Sequence, residues 1–436
     1  MRAAAPTSPH ASAAGGWLAG KNSSKTSISN KAMQTMNSNP STLLHRRTFL
    51  ATTAAAGAFT LLRPTMAFGT EANTTVELGL IGCGGRGKWI ADLFAQSGKY
   101  KFVACADYFQ DKVDAVGDQF KIERTSRFTG LSGYKRLLEC KLDAVVIETP
   151  PYFHPEQAQA AVAAGKHVFL AKPIAVDVPG CMTIAETGKL ATEKKRVFRV
   201  DFQTRANPHF REAVKLVHDG AIGKLVMVEA FYPWTGGGRG TPPATPEEQL
   251  RHWYYVLPIS GDFIVEQSIH SLDVATWVIN ADPIRACGTG GRTVRPKGSI
   301  WDHFAVHYWF PGDLVMAFTC IQSIPFVKDE IRVRAFGADG IFDADYYTGV
   351  TMRGKEEGVR ASVGDLYKDG AVININEFHE AIVKGDCSNL TVAPSVRSNL
   401  TAILGREAGY KGGEITWDAL LKQNQKLQPD LKGLRA

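Results

Sequence analysis

Short apolar runs separated by amphipathic stretches follow one another through residues 74–202 of the 436-residue chain. The runs have the length of buried β-strands, and the stretches between them, such as residues 88–94 and 179–195, place apolar side chains at helical spacing. Strands that alternate with helices in this way are typical of a parallel sheet covered on both faces. We therefore predict an α/β domain, with strands at residues 76–81, 101–107, 142–149, 166–171 and 196–202.

The pattern changes at Gln203, after which strand-like segments joined by turns predominate. Asn207-Pro208 begins a predicted helix, since asparagine caps helices well and proline is favoured in the first turn. We predict an α+β second domain over residues 203–436, with a mostly antiparallel open sheet. Helices near residues 376–384 and 396–411 are expected to pack back on the first domain. The predicted strands are residues 225–232, 284–290, 304–310, 315–320, 331–336 and 341–344.

A glycine motif joins the first predicted strand to the first predicted helix. Gly82, Gly84 and Gly87 form G-x-G-x-x-G, whose glycines allow a tight turn, close approach of a pyrophosphate, and close packing of helix on strand. The phosphates would bind the free N–H groups of the helix N-terminus. Asp107, twenty residues after Gly87, ends the second strand, where a carboxylate would bind an adenosine ribose. The combination predicts a Rossmann dinucleotide-binding domain over residues 74–202, and NAD is favoured because Asp107 would repel the 2′-phosphate of NADP.

The first 69 residues have the features of an export signal. They carry seven basic and no acidic residues, and Arg46-Arg47 precedes a weakly apolar run at residues 51–62. Small residues near Ala67 and Gly69 complete the pattern of a twin-arginine signal with its cleavage site. The run is too short and too rich in small residues for a stable membrane span. We predict periplasmic localisation through the twin-arginine export machinery, with an upstream extension before a start at Met33 or Met36.

Export changes how the charge of the chain is interpreted. All seven excess positive charges lie before Thr70, so the remainder has 43 basic and 43 acidic residues. A basic surface for nucleic acid is therefore not predicted. The seven cysteines include no C-x-x-C pair, and no disulfide framework or metal site is predicted. Cys83 and Cys105 are predicted to be small buried side chains of the nucleotide-binding core.

One helix of the second domain is predicted to combine an apolar face with a polar stripe. It covers residues 261–277, and Glu266, His270 and Asp273 follow one another at spacings of four and three residues. A stripe of this kind usually faces water, and the helix taken alone favours that interpretation. Glu-x-x-x-His could also be half of a metal site, but no convincing third ligand is nearby.

Taken together, these features resemble the Gfo/Idh/MocA family of oxidoreductases over nearly all of residues 74–436. The resemblance rests on the glycine motif, on residues 143–150 with His154, on Lys172-Pro173 after a strand, and on Glu266-x-x-x-His270-x-x-Asp273. It implies the two-domain fold predicted above and catalysis of hydride transfer with NAD, with NADP as the alternative cofactor. The export signal is similar to that of the glucose-fructose oxidoreductases, which are exported with their nucleotide bound.

The resemblance also implies roles for individual residues. Lys172 matches the family lysine between the nicotinamide and the reacting carbinol, and His270 matches the usual acid/base histidine. Either could take the hydroxyl proton, with Glu266 or Asp273 orienting the His270 ring. The implied cofactor-binding residues are Gly82, Gly84, Gly85, Arg86, Gly87, Asp107, Thr149, Pro150, His154, Lys172 and Pro173.

The substrate implied by the family is a carbohydrate. Arg205, Trp234, Trp253 and Tyr254 are candidate sugar contacts, because the C–H face of a sugar stacks on aromatic rings. The Gly/Pro-rich segment 233–248 is a candidate flap over the site. An open antiparallel sheet in this family commonly pairs with another copy, so a homo-oligomer is expected.

Three departures from the family pattern leave alternatives open. Ala171 stands in place of the glutamate before Lys-Pro, Glu266 in place of an aspartate, and Pro151 where asparagine is common. Since NAD is scarce outside the cytoplasm, we expect a tightly bound nucleotide that each cycle regenerates. The first alternative is a redox-neutral glycosidase or lyase that oxidises, eliminates and reduces again. The second is a non-catalytic protein that binds nucleotide or sugar.

Overall fold

A computed structural model describes residues 75–237, 243–295 and 298–436. The twin-arginine segment predicted above lies outside these residues. The first domain contains strands β1 Val76–Ile81, β2 Tyr100–Asp107, β3 Arg127–Thr129, β4 Ala144–Ile147, β5 His167–Ala171 and β6 Phe198–Asp201. Its helices are α1 Gly85–Gln96, α2 Gln110–Gln119, α3 Gly133–Glu139, α4 His154–Ala163 and α5 Val178–Glu193.

The six strands form one parallel sheet in the order β3-β2-β1-β4-β5-β6. The order runs outward in both directions from β1 and β4, so the loops that follow these two strands open at the same edge of the sheet. Helices cover both faces, which is why the central strands are apolar throughout: β4 is wholly buried along Ala144–Ile147. The prediction of a Rossmann-type parallel sheet is confirmed.

The second domain contains a nine-stranded sheet and most of the remaining helices. Its strands are β7 Leu225–Trp234, β8 Arg285–Gly291, β9 His303–Trp309, β10 Val315–Gln322, β11 Arg332–Gly337, β12 Ile341–Asp345, β13 Gly349–Arg353, β14 Gly358–Ser362 and β15 Glu414–Thr416. Its helices are α6 Gln203–Ala206, α7 Pro208–His218, α8 Pro246–Arg251, α9 Leu257–Ser260, α10 Phe263–Glu266, α11 Ile269–Ile279, α12 Leu366–Lys384, α13 Val392–Lys411 and α14 Trp417–Gln423.

The nine strands follow the order β14-β13-β12-β11-β7-β10-β9-β8-β15. Every pairing is antiparallel except that of β7 with β10, so the predicted mostly antiparallel sheet is confirmed. Residues of β7 and β10 alternate between buried and more exposed positions, which is the pattern of a sheet covered on one face. The sequence analysis missed β3 of the first sheet and β13, β14 and β15 of the second, each of which has five residues or fewer.

The two C-terminal helices of the sequence prediction are longer than predicted and lie against the first domain. α12 begins ten residues earlier, at Leu366, because the Asp365 side chain accepts a hydrogen bond from the Lys368 N–H and caps it. The Asn399 side chain of α13 bonds the Ile174 N–H at 3.1 Å and the Ala175 carbonyl at 3.0 Å. These contacts fix the chain just beyond Lys172-Pro173.

The helix predicted over residues 261–277 is not continuous, and this prediction was wrong. α10 ends at Glu266 and α11 begins at Ile269, since the Ser268 N–H bonds back five residues to the carbonyl of Phe263 at 2.9 Å. The preference for a solvent-facing polar stripe was also wrong. Glu266, His270 and Asp273 are all buried, because α11 lies in the centre of the second domain.

All seven cysteines lie in the part of the chain that the structure describes, and none forms a disulfide. Cys83 and Cys105 are buried, as predicted. No helix within the described ranges has the length and apolarity needed to span a bilayer. Within the same ranges, no group of three or more His, Cys, Asp or Glu side chains is arranged to hold a metal ion.

Candidate active site

The glycine loop between β1 and α1 is closed tightly at two of its glycines. Gly82 has φ +98°, and a Cβ there would lie 2.5 Å from the carbonyl carbon of Glu148. A Cβ on Gly87 would lie 1.9 Å from the carbonyl oxygen of Gly82. Gly84 and Gly85 instead face open space, and Gly84 caps α1 without any side-chain hydrogen bond. The N-terminus of α1 is therefore accessible to an anion such as a pyrophosphate.

Asp107, predicted to bind the ribose, holds the glycine loop as well. Its Oδ2 accepts a hydrogen bond from the Cys83 N–H at 2.7 Å, and Oδ1 accepts one from the Phe109 N–H at 3.0 Å. Burial raises the pKa of Asp107, and these two hydrogen bonds oppose that shift. Each oxygen keeps a second lone pair. The carboxylate also lines the cavity described next, where a ribose hydroxyl can reach it.

A cavity of about 310 Å³ extends from the glycine loop past Asp107. Its far wall comes from the second domain, where Arg251 of α8 lies 4.0 Å over the Phe109 ring. α8 begins at Pro246, so the end of the predicted 233–248 flap is helical, and Leu250 and Arg251, just beyond it, line the cavity. The lining combines open glycines, a carboxylate and aromatic walls, which suits a dinucleotide. The lining residues include Gly82, Gly84, Gly85, Asp107, Phe109, Thr149, Pro150, Leu250, Arg251 and Trp253.

His154, predicted to contact the cofactor, supports the loops around it instead. Its ring is buried, with Nδ1 2.8 Å from the Pro173 carbonyl oxygen and Nε2 2.7 Å from that of Thr149. Burial lowers the pKa of His154 to about 4, so the ring is neutral near pH 7. His154 lines neither this cavity nor the second cavity described next. His154 therefore connects the Thr149-Pro150 loop to Lys172-Pro173.

A second cavity, of about 240 Å³, adjoins the first and shares Glu148, Thr149 and Trp253 with it. Lys172, Glu266 and His270 all line it. Its lining residues are Arg86, Glu148, Thr149, Pro151, Ala171, Lys172, Gln203, Trp253, Glu266, Gln267, His270 and Tyr367.

Lys172 is held by Glu266 through two contacts. Its Nζ donates to the Glu266 carbonyl oxygen at 2.6 Å and lies 3.1 Å from Oε1 of the same residue. A nitrogen with two such acceptors is positioned as an ammonium group. Ala171 stands where the family pattern has a glutamate before Lys-Pro. Here Glu266 of α10 provides a carboxylate for Lys172 instead, and its side chain is long enough to reach the lysine.

His270 is a neutral, buried imidazole that lines the same cavity. Burial lowers its pKa well below the ordinary value, and the positive charges of Lys172 and Arg86 add to the effect. Its Nδ1 is buried without a hydrogen-bond partner. The residue lines the second cavity, and a neutral imidazole is able to accept a proton from a hydroxyl group.

Several residues that line the second cavity also carry buried polar atoms without a hydrogen-bond partner in the described chain. Buried polar groups are nearly always satisfied, so such a concentration beside one cavity is unusual. The charged and amide side chains among the lining residues suit a polyhydroxylated ligand. The buried atoms without a partner are Arg86 Nη1, both Glu148 carboxylate oxygens, Gln203 Oε1, Glu266 Oε2 and His270 Nδ1.

Asp273 and Arg205 are not brought to this cavity. The Arg205 Nε lies 3.0 and 2.9 Å from the two carboxylate oxygens of Asp273, and the Ser398 hydroxyl donates to the same carboxylate at 2.5 Å. The Asp273 carboxylate is thus paired within the protein core. This geometry does not fit the role predicted for Asp273, orienting the His270 ring, or the role predicted for Arg205, binding the substrate. Neither residue lines the cavity.

Of the predicted aromatic contacts, Trp253 is the one that lines both cavities. The Tyr254 hydroxyl lies 2.9 Å from Oε1 of Gln322, and Trp234 packs against the hydrophobic core. Sequence reasoning missed Glu148, Gln203, Gln267 and Tyr367. Glu148 could have been found, because it follows a wholly apolar strand and directly precedes Thr149-Pro150.

Arg86 belongs to a buried charge cluster with Glu148 and Asp201. Its Nη2 lies 2.6 Å from Oδ2 of Asp201, and its Nε lies 3.5 Å from Oε2 of Glu148. The guanidinium lies 4.5 Å from the centre of the Trp89 ring and 4.9 Å from that of Tyr367. Arg86 lines the second cavity, and its guanidinium group is paired with the carboxylates of Asp201 and Glu148. The sequence analysis had instead predicted that Arg86 binds the cofactor.

Comparison with known proteins agrees with this arrangement of two domains. Residues 76–202 match the family model described as the GFO/IDH/MocA oxidoreductase family, NAD-binding Rossmann fold, and residues 210–343 match the model of the GFO/IDH/MocA C-terminal domain. Together the two matches cover more than half of the chain.

Curated relatives include inositol 2-dehydrogenase of Rhizobium meliloti, 28% identical over 49% of this chain and 58% of that protein. The scyllo-inositol 2-dehydrogenase (NAD(+)) of Bacillus subtilis is 27% identical over 55% of this chain and 65% of that protein. The matched regions thus span less than two thirds of these two relatives.

Among solved structures, a levoglucosan dehydrogenase in complex with NADH and levoglucosan has the same fold, with a TM-score of 0.66 and 17% identity over 78% of this chain and 99% of that one. An aldose-aldose oxidoreductase from Caulobacter crescentus gives a TM-score of 0.62 at 20% identity, with the same coverage of both chains. With both family models matched in order along one chain, this protein belongs to the GFO/IDH/MocA family of oxidoreductases, and its first domain is the family's NAD-binding Rossmann fold.

Proposed function

We propose that this protein is an NAD-dependent oxidoreductase that oxidises a secondary alcohol of a sugar or polyol. The observation that carries the proposal is the junction of the two cavities at Glu148 and Thr149. A dinucleotide bound along the glycine loop would reach this junction with its nicotinamide end. The reacting alcohol would then lie between that end and the Lys172–His270 pair.

NAD, when bound, supplies a hydride acceptor. The residues of this chain handle the proton and the oxygen. His270, neutral at working pH, takes the hydroxyl proton as the C–H bond breaks. The Lys172 ammonium group, fixed by Glu266, donates to the same oxygen and stabilises the negative charge that develops there.

The relatives support a carbohydrate as substrate, since their names refer to inositols, levoglucosan and aldoses. The charged and amide side chains that line the second cavity fit such a ligand. Trp253, on the wall of both cavities, offers an aromatic face for the C–H side of a sugar ring.

The test starts from purified protein that is denatured to release its bound small molecules for mass spectrometry. We expect stoichiometric NAD, and we expect reduction of the bound nucleotide by a subset of sugars, inositols and anhydrosugars. Absence of nucleotide, together with failure to bind added NAD, would contradict the proposal. Cleavage of a glycoside without net reduction of nucleotide would favour the redox-neutral alternative, and bound nucleotide with no turnover would favour the binding protein.

We further propose that the protein is exported to the periplasm by the twin-arginine route with NAD already bound. The supporting observations are Arg46-Arg47, the weakly apolar run after it and the absence of acidic residues before Thr70. The double variant Arg46→Lys/Arg47→Lys should stay in the cytoplasmic fraction, still at its full precursor length. Arrival of this variant in the periplasm at wild-type levels would exclude the twin-arginine route.

A further inference from the structure

Residues 427–436 form no helix or strand, yet they are held against the first domain near both ends. At the start of the segment, the Leu427 N–H donates to Oδ2 of Asp177 at 2.8 Å. Near its end, the carbonyl oxygen of Arg435 accepts a hydrogen bond from the Leu131 N–H at 3.0 Å. The segment therefore runs from the end of the second domain onto loops of the first, and we call it the strap.

The loops that the strap contacts line the nucleotide cavity close to Asp107, the predicted ribose ligand. The Arg435 guanidinium donates to the Tyr108 carbonyl oxygen at 3.0 Å and lies 5.2 Å from the centre of the Tyr108 ring. A Cβ on Gly130, which has φ +91°, would lie 2.1 Å from the Ala436 carbonyl oxygen. Tyr108 and Gly130 both line the cavity, whereas no residue of the strap does. The strap thus acts on the cavity through these loops.

Two leucines of the strap also connect the walls that the two domains contribute to this cavity. Leu431 and Leu434 pack, partly buried, against an apolar cluster that contains Phe109 from the first domain and Leu250 from the second. Trp253 packs against the same cluster. Phe109, Leu250 and Trp253 all line the nucleotide cavity, so the leucines join two of its walls. Separating these walls would expose apolar surface that the strap now covers.

We propose that Leu431, Leu434 and Arg435 are positioning residues of the nucleotide site, through which the strap holds the cavity walls together and slows the release of NAD. This inference rests on the proposed function. A protein that is exported with NAD bound and regenerates it in each cycle requires slow release and loses no turnover by it. The strap provides slow release without contacting the reacting groups, since none of its residues lines the second cavity.

The test measures how fast bound NADH leaves the full-length protein when excess NAD displaces it, followed by the loss of NADH fluorescence. In the double variant Leu431→Ser/Leu434→Ser, release should be about tenfold faster or more, because the apolar contacts that join the two walls are lost. Its kcat at saturating NAD should be unchanged. Lys432→Ser, at an exposed position of the strap, is the matched control and should release NADH at the wild-type rate. Wild-type release in the double variant would overturn the proposal, whereas failure of the wild type to bind either nucleotide would refute the proposed function itself.

A second pair of variants separates this role from a general loss of stability. Arg435 is exposed, so Arg435→Ala should leave the thermal unfolding of nucleotide-free protein unchanged. The change removes the donor to the Tyr108 carbonyl oxygen, and NADH release should be about threefold faster. Arg435→Lys keeps a donor and should restore slow release. Wild-type release in Arg435→Ala, with faster release only where the unfolding temperature has fallen, would make the strap a structural element alone and overturn the proposal.

Discussion

Replacement of Lys172 by methionine should lower kcat for alcohol oxidation by about 10²- to 10³-fold, while NAD continues to bind. The lysine is the cation placed by Glu266 in the second cavity, and no other lysine lines that cavity within the described residues. Methionine retains much of the volume of the side chain and removes the donor and the charge. Steady-state kinetics and nucleotide titration measure the two effects separately.

Loss of stability could imitate this result, because methionine at position 172 leaves the Glu266 carboxylate buried without its counter-ion. Breaking such a pair costs roughly 3–5 kcal/mol when it is fully buried, and less here because Lys172 is partly exposed. The double variant Lys172→Met/Glu266→Gln should recover stability but not activity. Lys189→Met, on the exposed surface of α5, is the matched control and should retain full activity. Wild-type kcat in the double variant would contradict the assigned role of Lys172.

Two glycine-to-alanine changes in the same motif should both weaken NAD binding but differ in their effect on stability. Gly87→Ala places a Cβ 1.9 Å from the Gly82 carbonyl oxygen, so α1 and the loop must separate. We expect its free energy of unfolding to fall by about 1–3 kcal/mol or more, as for other overpacked sites, with loss of NAD binding. Gly84→Ala meets no atom of the protein within 4 Å, so stability should be unchanged.

Gly84→Ala should nevertheless weaken NAD binding by at least about tenfold, because the new methyl group occupies space through which the pyrophosphate approaches the N-terminus of α1. Thermal unfolding without nucleotide and titration with NAD distinguish the two variants. Gly85→Ala, which also faces open space, shows whether the effect is specific to the second glycine of the motif. Tight NAD binding by Gly84→Ala would place the pyrophosphate elsewhere.

Local pattern was sufficient to predict five of the six strands of the first domain and its parallel sheet, but not the three-residue strand β3. The apolar runs at β1, β2, β4, β5 and β6 and the glycines between β1 and α1 act over a few residues each, so the sequence displays them directly. The same holds for the antiparallel character of the second sheet, which follows from strands of alternating burial joined by short turns. Strands with little apolar character, such as β14 at Gly358–Ser362, left no comparable signal.

The arrangement of the site depended on packing between distant segments. Lys172 and Glu266 are 94 residues apart, and their contact required α10 to end at Glu266, where the sequence suggested a continuous helix. Asp273 had the spacing of a catalytic partner, but its carboxylate binds Arg205, 68 residues away, because α11 lies buried against the core. Glu148 acquires its place in the charge cluster only when β4 lies beside β1 and β5 in the folded sheet. The sequence therefore determined most of the helices and strands and the nucleotide motif, because these depend on local spacing. The tertiary structure alone decided which carboxylate pairs with which cation, because burial and distance set the strength of each pair.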